Sequence, residues 1–151
     1  MLTAIKDSRI DITSEKSTRE LAENLISHIK GGEYFFLYGE VGVGKTTFVK
    51  YFVNKIQIKE RLDLTEVTSP TFNLLNEYNT KNFLIKHYDL FRVKNSSEIN
   101  DLDIFEKNSK TITFIEWPEL LGKNSKIKSI DLLFTYENEL KNRTVHINGL
   151  N

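Results

Sequence analysis

The sequence predicts an α/β fold, a three-layer arrangement with a mostly parallel central sheet and antiparallel additions. Three observations predict it. First, an aromatic, apolar run of strand length, Tyr34-Phe35-Phe36-Leu37-Tyr38, leads straight into the glycine-rich stretch Gly39-Glu40-Val41-Gly42-Val43-Gly44-Lys45-Thr46. Apolar residues at helical spacing follow it, at Phe48, Val49, Phe52, Val53 and Ile56. Second, a β-branched and aromatic run, Thr111 to Ile115, ends in a carboxylate at Glu116. Third, Ile130 to Tyr136 and Thr144 to Ile147 alternate and read as an antiparallel hairpin across Asn138 to Asn142.

Taken in order, the elements begin with a ragged start and a short strand, Ile10-Asp11-Ile12. Ser17-Thr18-Arg19-Glu20 has the capping-box pattern, in which the serine and the glutamate each satisfy the other's backbone N–H. Leu21, Ala22, Leu25, Ile26 and Ile29 then form one apolar helical face, closed by Gly31-Gly32. His28 falls off that stripe and reads as solvated. After the glycine-rich stretch and its helix, Lys59 to Asp63 is a charged surface connection. In Val67-Thr68-Ser69-Pro70-Thr71-Phe72 the proline pushes Ser69 extended. Phe72 to Tyr78 and Phe83 to Asp89 are strands around an Asn79-Thr80-Lys81-Asn82 turn, and on the second of them His87 and Asp89 share a side. Residues 95–108 hold a loop and a short helix, with Ser96 or Ser97 as the cap and Ile99, Leu102 and Phe105 as the buried face.

Composition narrows the function. The 151 residues suit a single domain, 1–151, with a real core. Lys+Arg and Asp+Glu are both 21, which argues against autonomous nucleic-acid binding through a uniformly basic surface, and so against a DNA-binding protein. There is no cysteine, which removes disulfides and thiolate metal sites and fits a reducing, cytoplasmic setting. The three histidines are scattered, so a histidine zinc site is not expected. No apolar run reaches membrane-spanning length, and the first residues lack signal-peptide architecture.

The glycine-rich stretch fits G-x-x-x-x-G-K-[ST], the phosphate-binding loop of nucleotide triphosphatases, and its flanks are the required strand and helix. Glycines let successive N–H groups curl inward around phosphate oxygens, next to the positive end of the following helix. Lys45 brings a point charge to the β/γ-phosphates, and the Thr46 hydroxyl completes coordination of Mg²⁺. Two strand-end carboxylates, Asp89 and Glu116, compete for the second metal-binding position. Asp89 reads equally well as a partner of Arg92. The hydroxyls around Pro70 read either as a plain loop or as one near the γ-phosphate. Trp117, the only tryptophan, reads as packing or as part of a functional face. Thr13, Ser14, Glu15 and Thr18 neighbour a helix start, where a ligand could dock; ordinary capping is the favoured reading from the residues alone.

Four blocks in one order resemble a known family: Leu37 to Phe48, Ser69-Pro70-Thr71-Phe72, His87-Tyr88-Asp89-Leu90-Phe91-Arg92 and Ile115-Glu116-Trp117-Pro118. Across nearly the whole chain they resemble the bacterial tRNA threonylcarbamoyladenosine biosynthesis ATPase family, TsaE. The resemblance implies a small ATPase using Mg²⁺ and ATP and working with a complex of two partner proteins, TsaB and TsaD. That complex attaches a threonylcarbamoyl group to the adenosine beside the anticodon, in tRNAs that read codons beginning with A, so tRNA is met through the complex. It implies nucleotide contacts at Glu15, Gly39, Val41, Gly42, Val43, Gly44, Lys45, Thr46, Thr47 and Trp117. It also implies Mg²⁺ at Thr46 and Glu116, and catalysis by Lys45 and Asp89. It makes the Ser69-Pro70-Thr71 loop a nucleotide-responsive segment. The chain departs from the family at Phe91, where tyrosine is usual, and at Asn100 to Asp103, where a glycine-containing turn is common. No partner contact is carried onto that second region.

Two rivals share the loop. A small kinase needs an acceptor pocket and an arginine-rich lid, yet Arg9, Arg19, Arg61, Arg92 and Arg143 are scattered along the chain. That scatter also gives no internal arginine finger, so slow turnover until a partner complex activates it is expected. A non-hydrolysing nucleotide-dependent binding module is the other. A GTPase is disfavoured by the absence of an Asn-Lys-x-Asp element.

Overall fold

In the computed structural model, residues 8–106, 108–122 and 127–150 are described; most of the ragged start expected before Ile10 lies outside them. The strands are β1 (Arg9–Asp11), β2 (Tyr34–Tyr38), β3 (Leu75–Asn79), β4 (Leu84–Asp89), β5 (Thr111–Glu116), β6 (Ile130–Glu137) and β7 (Asn142–Asn148). The helices are α1 (Glu15–Ile26), α2 (Lys45–Lys59) and α3 (Ser96–Asn100), with a 3₁₀ turn at Pro118–Leu121. Among the described residues the strands form one sheet in the order β1-β7-β6-β2-β5-β4-β3. The four central strands, β6-β2-β5-β4, are parallel, while β3, β7 and β1 are added antiparallel. The expected fold class is the one observed.

The two faces of the sheet bury different partners. Phe35 and Leu37 of β2, Ile112 and Phe114 of β5 and Leu132 and Phe134 of β6 meet α1 and α2 in the larger core. At its centre Phe114 stacks on Phe35 at 4.9 Å and takes the edge of Phe52 at 4.9 Å. These rings fix α2 across β2 and β5 and so set where its N-terminus points. On the opposite face Phe36, Tyr88 and Ile115 pack with Ile99 and Ile104 of the α3 region. Among the described residues no helix is long and apolar enough to cross a membrane.

Several element boundaries differ from the sequence expectation. α1 starts at Glu15, with Ser14 extended (φ −88°, ψ 148°) and its hydroxyl accepting from Ser17 N–H; the serine expected as the cap is in the first turn. It ends at Ile26, before Gly31-Gly32, because Ser27, His28 and Ile29 tighten into i→i−3 bonds. β3 begins at Leu75, because Leu74 N–H closes a turn onto Pro70 O at 2.7 Å. Phe72, expected in the strand, stays 79% exposed in that turn. α3 is capped by Asn95 in a reciprocal box with Glu98, rather than by Ser96 or Ser97. Asp103 adopts a left-handed φ of 52°, which shifts the helical period, so Ile104 is buried and Phe105 is 44% exposed.

Candidate functional site

The parallel strands bring three functional segments to one end of the sheet. β2 runs into Gly39, β5 ends at Glu116 and β4 ends at Asp89. Register pairs Leu37 with Glu116 and Asp89 with Glu116, so the three strand ends lie side by side. This is the crevice beyond the carboxyl ends of strands, where α/β sheets bind ligands. A cavity of about 350 Å³ opens there, lined by the glycine-rich loop and by side chains from both flanks of β2.

The loop backbone is set by glycine. Gly39 has φ 143°, and a Cβ there would stand 2.8 Å from Phe134 O. Gly44 caps α2 in the left-handed region (φ 115°, ψ 10°) with no side chain closing the helix end. The first amides of α2 are therefore left to an anion, as in other phosphate-binding loops. Val41, Gly42, Gly44, Lys45, Thr46 and Thr47 line the cavity. Gly39 shapes the loop without lining it, and Val43 is buried beneath it.

Lys45 is 4% exposed. Its Nζ donates to Gly39 O at 2.5 Å and stands 4.0 Å from Glu116 Oε1 and 4.4 Å from the centre of the Trp117 ring. Burial pushes its pKa down, and the Glu116, Asp89 and Glu119 carboxylates pull it back up. Glu116 Oε2 accepts from Thr46 Oγ1 at 3.1 Å and lies 2.5 Å from His87 Nε2. His87 is fully buried, and its Nδ1 has no partner among the described residues. The sequence had marked His87 only as sharing a side with Asp89; here it is the group that orients Glu116 from behind.

Asp89 is held by the segment around Pro70. Its Oδ2 accepts from Thr71 Oγ1 at 2.9 Å, with Ser69 Oγ at 3.5 Å, and its Oδ1 accepts from Phe91 N–H at 3.0 Å. Ser69 and Thr71 are themselves joined at 2.6 Å. The alternative pairing of Asp89 with Arg92 is not what forms: the Arg92 guanidinium lies 4.2 Å over the Phe72 ring. Trp117 takes a left-handed conformation (φ 60°, ψ 48°), and its ring stands 5.0 Å from that of Phe91 at the cavity rim.

On the other flank the cavity is lined by Arg143 from β7, which the scatter of arginines along the chain had hidden. No local pattern marks it; only the sheet order carries it there. Glu15 lies away from the cavity lining and accepts from Tyr51 Oη, joining α1 to α2. That bond, with a smaller contribution from burial, holds the Tyr51 pKa above its ordinary value.

Chemically, the loop offers an anion cradle, and Thr46 with Glu116 offers two oxygen donors to a divalent cation. Among the described residues no three His, Cys, Asp or Glu side chains cluster as a protein-built metal cage. Asp89 offers a carboxylate at the edge of the same cavity.

Comparison with known proteins gives four findings. The family model described as threonylcarbamoyl adenosine biosynthesis protein TsaE matches residues 12–145. A relative from Rickettsia conorii, named tRNA threonylcarbamoyladenosine biosynthesis protein TsaE, is 38% identical over 114 residues, 73% of this chain and 61% of its own length. A relative of the same name from Borreliella burgdorferi is 31% identical over 145 residues, covering 93% of this chain and 98% of its own. The chain thus spans under two thirds of the first relative and nearly all of the second. Among solved structures, YdiB from Bacillus subtilis superposes with a TM-score of 0.70 over 99% of this chain and 90% of its own, at 19% identity, which is a likeness of fold.

Proposed function

The chain belongs to the TsaE family, and on that premise we propose that it is a Mg²⁺-dependent ATPase serving threonylcarbamoyladenosine formation on tRNA. Residues 1–151 act as one phosphate-loop ATPase domain in the cytoplasm. It works with a TsaB–TsaD-type pair, and meets tRNA through that complex, beside the anticodon of tRNAs that read codons beginning with A. The observation that carries the reading is convergence: Lys45, Thr46, Glu116 and Asp89 face one cavity at the end of three parallel strands.

The reaction is in-line attack of water on the γ-phosphate of ATP. Loop amides from Val41 to Thr47 hold the phosphates, and Lys45 exchanges its bond to Gly39 O for the β/γ-oxygens as charge develops. Thr46 and Glu116 would hold Mg²⁺, which would supply positive charge to neutralise the phosphates. His87 keeps the Glu116 carboxylate turned toward Thr46. Asp89 holds the attacking water, and its bonds to Thr71 and Ser69 tie that water to the loop nearest the γ-phosphate. Trp117 packs over Lys45 and closes the rim.

The test is phosphate release by the purified protein with Mg·ATP, alone and with the partner pair, alongside nucleoside mass spectrometry of tRNA from depleted cells. Wild type is expected to restore threonylcarbamoyladenosine and Lys45→Ala to leave it absent. Unchanged modification after verified depletion would overturn the pathway. Restoration by an Asp89→Ala variant that hydrolyses nothing would make the protein a nucleotide-dependent binding module.

A further inference from the structure

We infer that the chain has a second small-molecule site, between β4, β5 and the stretch after α3, and that its ligand is a small zwitterion, a free neutral α-amino acid. A cavity of about 210 Å³ lies there. Register sets its floor, with Leu84 beside Thr111 and Lys86 beside Thr113. These residues begin the two strands that Asp89 and Glu116 end, so the cavity lies at the far end of the sheet from the phosphate loop. They share a face with Tyr88 and Ile115, which pack toward the α3 region. The wall is Asp103, Ile104, Glu106 and Asn108. It is fastened to the sheet, because Tyr34 Oη donates to Ile104 O at 2.7 Å and Thr111 N–H donates to Asn108 O at 3.1 Å.

Two features point to a ligand. Thr113 is 3% exposed and Thr111 8%, both line the cavity, and neither hydroxyl has a hydrogen-bond partner among the described residues. A hydroxyl buried without a partner is unfavourable, and folds seldom keep one unless something in the cavity answers it. The second feature is unpaired charge of both signs. Lys86 is half-buried in the floor and forms no ion pair among the described residues, even with Glu77, its cross-strand neighbour on β3. Asp103 and Glu106 stand exposed on the wall, likewise without ion pairs. Burial, then Glu77, with smaller contributions from Tyr34, Asp103 and Glu106, pushes the Tyr88 hydroxyl up to about 12, so both wall carboxylates act across this face. A bare cation would meet Lys86, and among the described residues no three His, Cys, Asp or Glu side chains gather to hold one. A phosphate would meet the two wall carboxylates. A molecule with a carboxylate for Lys86 and the threonine hydroxyls, and an ammonium for Asp103 and Glu106, answers every group. The space equals the share of roughly seven waters, which limits the ligand to a small amino acid.

The test is an amide chemical-shift titration of the full, nitrogen-labelled chain without nucleotide. The probes are glycine, L-alanine, L-serine and L-threonine, with acetate, ethylamine, calcium chloride and inorganic phosphate as controls. At least one amino acid is expected to shift the amides of Lys86, Glu106, Thr111 and Thr113 saturably, with acetate and ethylamine weaker by about tenfold or more. Lys86→Met and Glu106→Gln should each weaken that binding roughly tenfold, and the second serves if the first fails to fold. Thr113→Val should weaken it severalfold and leave the melting temperature of the free protein unchanged or higher; a hydroxyl with a structural partner would lower it. Saturable shifts from none of the four amino acids overturn the site. So does equal binding of acetate or phosphate, which would make it an anion site, or of calcium, which would make it a cation site. Undiminished binding in folded Lys86→Met and Glu106→Gln overturns it as well. The inference stands apart from the ATPase reading, since no nucleotide is present and failure to hydrolyse ATP would leave these shifts as they are.

Discussion

The two flanks of the phosphate loop are built on opposite terms. On the β4–β5 flank, His87, Asp89 and Glu116 are all nine-tenths or more buried, and each carboxylate accepts at least two bonds from neighbours. On the β6–β7 flank, Tyr136 and Arg143 are half-buried, and Arg143 is fastened to Thr13. A buried charge is tolerated only when partners fix it, so the acidic flank cannot shift one group without stranding another. The basic flank carries no such constraint. The difference teaches where placement matters most: reacting groups must be held in one position, and the buried, fully bonded flank is the one built to do that.

The largest break in this comparison is expected from Asp89→Asn. It keeps the shape and can keep the Thr71 bond, but turnover should drop by roughly 10²-fold or more while ATP affinity holds. Phosphate release beside a binding isotherm checks this, and a parallel collapse of affinity would move Asp89 from chemistry to binding. Next is Lys45→Ala, for which affinity for ATP and ADP should weaken on the order of 10²-fold by calorimetry. A smaller effect sharpens the acidic flank alone. His87→Phe should raise the Mg²⁺ concentration for half-maximal ATP binding about tenfold, with affinity in EDTA unchanged. Weaker binding in EDTA as well would mean that His87 supports the fold rather than the carboxylate.

The smallest effect lies behind that flank, in α3. Backbone N–H groups of Lys94 and Asn95 hold the Glu98 carboxyl below its ordinary 4.5. A lowered pKa in the fold means stability present above the ordinary value and lost as pH falls through the folded one. Glu98→Gln should therefore melt slightly earlier at pH 7, and the gap from wild type should close as the pH drops below 4.5. A gap that persists in acid would assign the effect to the cap's shape instead of its charge. Nucleotide binding should not change.

What could be read from the sequence was local. β2 and α2 follow from one uninterrupted apolar pattern on each side of the loop, and Asp89 and Glu116 stand out because each ends an apolar strand. The start of α1 was misplaced because Ser17–Glu20 matches a capping box, while the cap that forms is Ser14 with Ser17 N–H. The choice is made elsewhere: Thr13 is tied to Asp11 and to Arg143, so the chain enters the helix already extended at Ser14. The partnership of His87 with Glu116 depends on the β4–β5 register, and the placing of Arg143 on β7 returning beside β6. Neither leaves a trace within a short window of residues.

Trp117 has a consequence of a different kind. It is the chain's only tryptophan, and its ring lies against the Lys45 ammonium and the Phe91 ring. Excited at long ultraviolet wavelengths, the protein emits from this one spot. Any molecule that draws the lysine off the indole face alters the brightness or colour of that emission. The chain carries its own optical gauge of whether the cavity is filled, with no dye attached.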